Sequence, residues 1–175
     1  MILCSFMKMD VSNFVPYKTI KDSIFVAGDH ILIENVYFQL NKCDLRDSAS
    51  DSALNNVVDF LKKEKSLKVS VDCHTDYVNP KSSTKLTMCR AKSVTDYFLS
   101  AGIDTARLIA KGYGDTKPFQ LQKDVLLKSG KTVQKGMILT DKLMTNYRTN
   151  LDDYQYLRSL NRRIELTIIT TDSLR

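Results

Sequence analysis

Two β-rich runs, Asp22-Ser-Ile-Phe-Val-Ala27 and His30-Ile-Leu-Ile-Glu-Asn-Val-Tyr-Phe38, meet at Gly28-Asp29 and predict an N-terminal hairpin. Asn41 to Asp51 is polar and turn-like, with Ser48, Ser50 and Asp51 available as helix caps. From Ala53 to about Glu64 the period changes. Leu54, Val57, Val58 and Leu61 fall at the i, i+3, i+4, i+7 spacing of an amphipathic helix. Lys68-Val-Ser-Val-Asp-Cys73 then alternates strictly, which puts Val69, Val71 and Cys73 on one face of a strand. A polar loop, His74 to Ser83, leads to a second helix from about Thr84, with Leu86, Ala91, Val94, Phe98 and Ala101 along one side and Gly102 as its stop.

Leu108-Ile-Ala-Lys-Gly112 reads as a short strand closing in the tight Gly112-Tyr-Gly114. A mixed stretch, 119–160, follows Pro118, with helical character near Asp141–Arg148 and Asp152–Leu160. The final strand is Arg163-Ile-Glu-Leu-Thr-Ile-Ile169. The expected class is α/β, an α+β two-layer sandwich. Its core order is β-α-β-α-β-β, a mixed sheet with helices on one face, plus the N-terminal hairpin and an insertion before the last strand. The expected division is an arm at 1–19 and one domain at 20–175 that contains the insertion 119–160.

Composition excludes little and weights the rest. The chain of 175 residues is long enough to bury one core. No apolar run approaches the length of a membrane span, so membrane attachment would come only through a segment outside this chain. The opening residues do not read as a signal peptide; an exported protein would have lost its signal or carry it upstream. The net charge of +6 suits nucleic acid, an anionic membrane or an anionic polymer alike, or simply a basic surface. Lys62, Lys63, Lys65 and Lys68 cluster where a helix ends, without interleaved aromatics to stack bases, so nucleic acid is not the expected partner.

Candidate chemistry is sparse. Cys4, Cys43, Cys73 and Cys89 contain no C-x-x-C pair, and only His30 and His74 could complete a metal site, so neither metal nor cofactor is expected. Cys73 and Cys89 read as two small buried hydrophobes, with a disulfide between them left open. No G-x-S-x-G elbow occurs and His74 has no evident serine partner, which argues against an enzyme.

Five segments, in order, carry a resemblance. Val36-Tyr-Phe-Gln-Leu-Asn-Lys42 with Leu45-Arg46, Val69-Ser-Val-Asp-Cys-His-Thr-Asp76, Leu86-Thr-Met-Cys-Arg-Ala91, Lys111-Gly-Tyr-Gly-Asp-Thr-Lys-Pro118 and Asn161-Arg-Arg163 resemble the motifs of the OmpA-like peptidoglycan-binding family. That family includes the C-terminal domain of outer-membrane protein A and peptidoglycan-associated lipoprotein. The resemblance covers roughly residues 20–118 and 161–170. It implies non-covalent binding of the peptidoglycan stem peptide through diaminopimelate, at the periplasmic face of the outer membrane or elsewhere in the cell envelope, anchoring membrane or complex to the wall. Other envelope proteins are possible partners. The alternative is a non-catalytic envelope scaffold that binds a protein and has weakened or lost the peptidoglycan site.

The implied ligand end carries an ammonium and a carboxylate on one carbon. Asp76 would accept from the ammonium, and Arg90 would meet the carboxylate as a fork. Amides at the start of the second helix would add a preference for carboxylate. Leu40, Asn41, Thr75 and Leu86 match positions that line the site in the family, while Arg162 and Arg163 are expected to brace loops. The competing reading of the residues alone is that Asp76 and Arg90 pair with each other at the surface. Three departures bear on the site. Asn41 stands where the family has aspartate, Cys73 where it has glycine, and the 14-residue span from Asp76 to Arg90 (90 − 76) is one short of the family spacing.

Overall fold

The computed structural model describes residues 16–46, 48–76 and 80–171, the side chains of 80–82 excepted. A four-stranded mixed sheet organises the chain. Strand β1 is His30–Ile33, helix α1 Asp51–Lys63, strand β2 Leu67–His74, helix α2 Pro80–Ser100 and strand β3 Leu108–Gly114. The insertion holds β4 (Val125–Leu126), β5 (Thr132–Val133), α3 (Asp141–Thr145) and α4 (Leu151–Asn161), and β6 (Ile164–Thr171) closes the fold. The sheet order is β1-β6-β2-β3, with β2 and β3 parallel and β6 antiparallel to both its neighbours. This is the expected mixed α/β architecture.

Its core follows the sequence periods. Leu54, Val57, Val58 and Leu61 of α1 and Ala91, Val94 and Phe98 of α2 pack on Val69, Val71, Cys73, Leu166 and Ile168. Gly112 makes the layers meet closely: a Cβ there would lie 2.1 Å from the Met88 backbone nitrogen, so no larger residue lets β3 approach α2 this far. Gly114 (φ +57°) donates its N–H to Thr87 Oγ1 at 2.8 Å, fixing the end of β3 to the same helix. Arg107 donates to the carbonyls of Leu61, Glu64 and Leu67 and closes the C-terminal end of α1.

The N-terminal hairpin does not form. Residues 22–27 are not a strand, and Phe25 instead turns onto the helix layer, its ring 5.2 Å from that of Phe60. Strand β1 spends one edge on β6, while its other edge receives a bridge from Lys18. The small hairpin of the molecule is β4–β5, in the insertion. Of the expected arm, residues 1–15 lie outside the described residues. Tyr17 is docked: its backbone N–H donates to Gln122 and its hydroxyl to Glu165.

The insertion has an apolar core of its own, built on Phe119, Leu121, Val133, Leu139, Met144 and Leu157. Asn161 binds it shut at both ends. Its side chain accepts from the Phe119 N–H at 2.7 Å and donates to the Leu139 carbonyl at 2.8 Å. That gives the asparagine of the Asn161-Arg-Arg163 motif a structural task.

The cysteine reading is corrected. Cys43 and Cys89 form a disulfide, while Cys73 is a free, buried thiol. Burial pushes the Cys73 thiol well above its ordinary range, leaving it inert. The disulfide ties the segment between β1 and α1 to the outer face of α2, across 46 residues of chain. Closing a loop of that length in the unfolded state accounts for about 4 kcal/mol of stability on the chain-entropy argument. Chemical denaturation with and without a reductant, or of Cys43→Ser, should show a loss of that order; unchanged midpoints would contradict the pairing.

Candidate functional site

Asp76 follows the last residues of β2, and the backbone there is held from both sides. The His74 N–H donates to the Arg163 carbonyl at 2.9 Å and the Thr75 N–H to the Gly114 carbonyl at 2.8 Å. Asp76 is only 3% exposed. Its Oδ2 is paired with Arg158 Nε at 2.6 Å and Arg162 Nη1 at 2.9 Å, and its Oδ1 accepts from the Thr75 hydroxyl at 3.2 Å. One oxygen is thus clamped by two guanidiniums, and the other keeps spare acceptor capacity.

Arg90 reaches the same region from α2. Its Nε donates to the Lys42 carbonyl at 3.0 Å, and its guanidinium lies 4.8 Å from the centre of the Phe38 ring. Half-burial lowers its pKa, and the like charge of Arg162 acts in the same direction. The side chain is therefore stretched over the loop that the neighbouring disulfide secures.

A pocket of about 790 Å³ joins these groups, lined by Leu40, Asn41, Thr75, Asp76, Ser83, Leu86, Arg90, Gln155, Arg158 and Arg162. All six residues singled out from the sequence are among them. Asp76 and Arg90 do not pair with each other, so the surface ion pair considered for them is absent among the described residues. Asn41 has φ +57°, a left-handed conformation that asparagine tolerates well.

Helix α2 starts at Pro80, four residues before the expected Thr84, because proline suits a first helical position and the polar turn after it carries no apolar stripe to announce it. Only residues 77–79, outside the described set, separate Asp76 from the helix. Arg90 consequently sits about 15 Å along the axis from the helix start. Ser83 of the first turn lines the same pocket as Arg90.

Two residues were missed or misjudged. Arg158 comes from α4 of the insertion, to which the sequence lent no role. Arg162 does brace a loop, as expected, and it also walls the pocket. The available signal was their i, i+4 spacing, which places both on one side of the same helical path. Arg163, by contrast, turns away to Glu165 and the Lys117 carbonyl.

Behind the pocket lies a buried polar group. The His74 ring stacks on Tyr113 at 5.1 Å with planes 10° apart, and neither of its nitrogens has a hydrogen-bond partner among the described residues. Glu165 Oε2 is 3.7 Å from Nε2, but that carboxylate already answers Arg163 and Tyr17. Burial dominates, reinforced by Arg163 and Lys117, and lowers the His74 pKa to about 2. No cluster among the described residues is arranged to hold a metal ion.

This sheet, with an aspartate at the end of its inner strand and an arginine on the following helix facing one pocket, defines the class. Residues 37–125, half of the sequence, match the OmpA family, and the chain belongs to it. Domains of this family are non-catalytic and generally bind peptidoglycan. Over 89 residues, half of this chain and 10% of the relative, the sequence is 39% identical to photosystem I P700 chlorophyll a apoprotein A2 of Gloeobacter violaceus. Over 94 residues, 53% of this chain and 26% of the relative, it is 32% identical to outer membrane protein P5 of Haemophilus influenzae. The chain thus spans about a quarter or less of these curated relatives. It also superposes on the cell wall anchor of the T6SS from Pseudomonas aeruginosa with a TM-score of 0.51 at 22% identity, covering 81% of this chain and 79% of that one, a likeness of fold alone.

The neutral His74 has a consequence for stability. Unfolded, it takes a proton below its ordinary value of 6.5; folded, it stays neutral until about 2. Its contribution is therefore complete above pH 6.5 and is lost as pH falls below it. Between pH 7 and pH 5 the protein should lose about 2 kcal/mol relative to a His74→Gln variant. Parallel denaturation curves at the two pH values would show that His74 is protonated in the fold.

Proposed function

We propose that the pocket binds the stem peptide of peptidoglycan through diaminopimelate, and that the domain holds an envelope component to the wall without chemistry. The observation that carries this reading is the single pocket shared by Asp76, Arg90 and the four other residues expected beside them. Asp76 Oδ1 accepts from the ligand's ammonium, its orientation held by the two arginines on Oδ2. Arg90 offers its terminal nitrogens to the carboxylate on the same carbon, since its Nε is committed to Lys42. Leu40 and Leu86 supply apolar walls for the methylene chain of the ligand. Hydrogen bonds to charged groups contribute about 1.5–3 kcal/mol each, so one stem binds modestly. Retention on a wall that presents many stems then comes from rebinding and multivalency.

The Cys43–Cys89 disulfide supports an envelope location, because such bonds form in oxidising compartments such as the bacterial periplasm. The family membership and the likeness to an outer membrane protein support it as well. No helix among the described residues is long and apolar enough to cross a membrane, so attachment to one, on this reading, lies outside these residues.

The test is co-sedimentation of the purified domain with isolated sacculi. The wild type should pellet with them, and Asp76→Asn and Arg90→Ala should each cut the bound fraction at least about tenfold. Arg90→Lys should rescue little, because lysine keeps the charge without the fork. Undiminished binding by both variants would refute the site. Failure of the wild type to sediment would favour a scaffold that binds protein instead.

A further inference from the structure

The pocket's charges do not balance for a simple zwitterion. Its ionisable walls are one carboxylate, Asp76, and three guanidiniums, Arg90, Arg158 and Arg162. An adjoining cavity of about 710 Å³ shares Leu40, Arg90 and Arg162, and adds Arg46 and Arg163 against the acidic Glu34. His74, which also lines it, is neutral. A zwitterionic ligand end brings no net charge, so the cationic excess would persist in a half-buried site, where it is costly.

The hydrogen bonds locate that excess. Arg90 donates its Nε–H to the Lys42 carbonyl, and Arg158 sets its Nε 2.6 Å from Asp76 Oδ2 as an ion pair. The terminal nitrogen pairs of both meet no acceptor among the described residues, although these are the edges that grip a carboxylate in parallel. Arg158 lies over Tyr154 at 5.4 Å, which steadies its plane without using those donors. Two forks on one pocket call for two carboxylates.

We infer that the pocket selects a ligand end bearing two carboxylates and one ammonium, with Arg158 of the insertion as the specificity-determining residue for the second carboxylate. The inference rests on the stem-peptide reading for the ligand's identity. Diaminopimelate at the end of a stem has this composition: one carboxylate beside the free ammonium, taken by Arg90, and the main-chain carboxylate, taken by Arg158. When the stem continues, the second carboxylate becomes an amide and Arg158 loses its partner. The pocket therefore discriminates stems that stop at diaminopimelate from longer ones.

Titration calorimetry tests this with the tripeptide L-Ala-γ-D-Glu-diaminopimelate, the same peptide amidated at its main-chain carboxyl, and glutarate as a bare dicarboxylate. Wild type should bind the free tripeptide at least about tenfold more tightly than the amidated one. Arg158→Gln should weaken both peptides through the loosened hold on Asp76 but the free form about tenfold more, so that the ratio collapses toward one, and Arg158→Lys should recover part of it. Equal wild-type affinity for the two peptides would overturn the inference and leave the stem-peptide reading standing. So would an Arg158→Gln variant that weakens both equally, since that is the mark of a residue that only braces Asp76. If neither peptide binds but glutarate does, and Arg158→Gln abolishes it, the dicarboxylate site stands and the stem-peptide reading falls. If none of the three binds, both fall.

Discussion

Asp76 carries a full negative charge at a position almost closed to water, where an isolated carboxylate would cost several kcal/mol. It is kept there by Arg158 and Arg162, both on the same oxygen. The two arginines leave the end of α4 together, so this carboxylate fastens the insertion to the sheet end. Removing either side of the arrangement leaves buried charge uncompensated, which is more damaging than never having built it. The rest of the pocket depends on that clamp, because one wall belongs to the insertion and the opposite one to α2 and the segment after β1.

Each wall is secured by a different device. Glycine at 112 and 114 lets β3 lie directly against α2, which sets the height of Arg90 over the sheet. The Cys43–Cys89 bond and the Lys42 carbonyl hold the Leu40–Asn41 segment beside that arginine. Asn161 closes the insertion so that Arg158 and Arg162 emerge in register with Asp76. The insertion is thus a working part of the pocket. It adds Arg158 to a pocket in which Asp76 already faces Arg90 and Arg162.

Where apolar periodicity and burial coincide, the sequence was legible. The stripe of α1 and the alternation of β2 and β6 were read correctly, since one face of each is buried against the same core. Residues 22–27 misled because β-propensity is local and pairing is not; Ile24 and Val26 end up exposed. The start of α2 is hard to read because the residues after Pro80 are polar and carry no apolar stripe. Cysteine pairing could not be read from spacing, and the nearer neighbour of Cys89 in sequence, Cys73, lies on the core side of β2. Asp76, Arg90 and their four neighbours were legible through motifs. Arg158 was not, because it stands outside every motif and acquires its role only when α4 folds back onto the end of β2.

Nuclear magnetic resonance mapping of a diaminopimelate-containing peptide on the labelled domain addresses the central claim most directly, since it asks whether core and insertion form one binding surface. The account predicts shifts clustered at 40–42, 75–76, 86–90 and 155–162, changing together along one isotherm. Shifts confined to the first three segments would contradict the shared pocket, and shifts scattered elsewhere on the surface would contradict the site altogether.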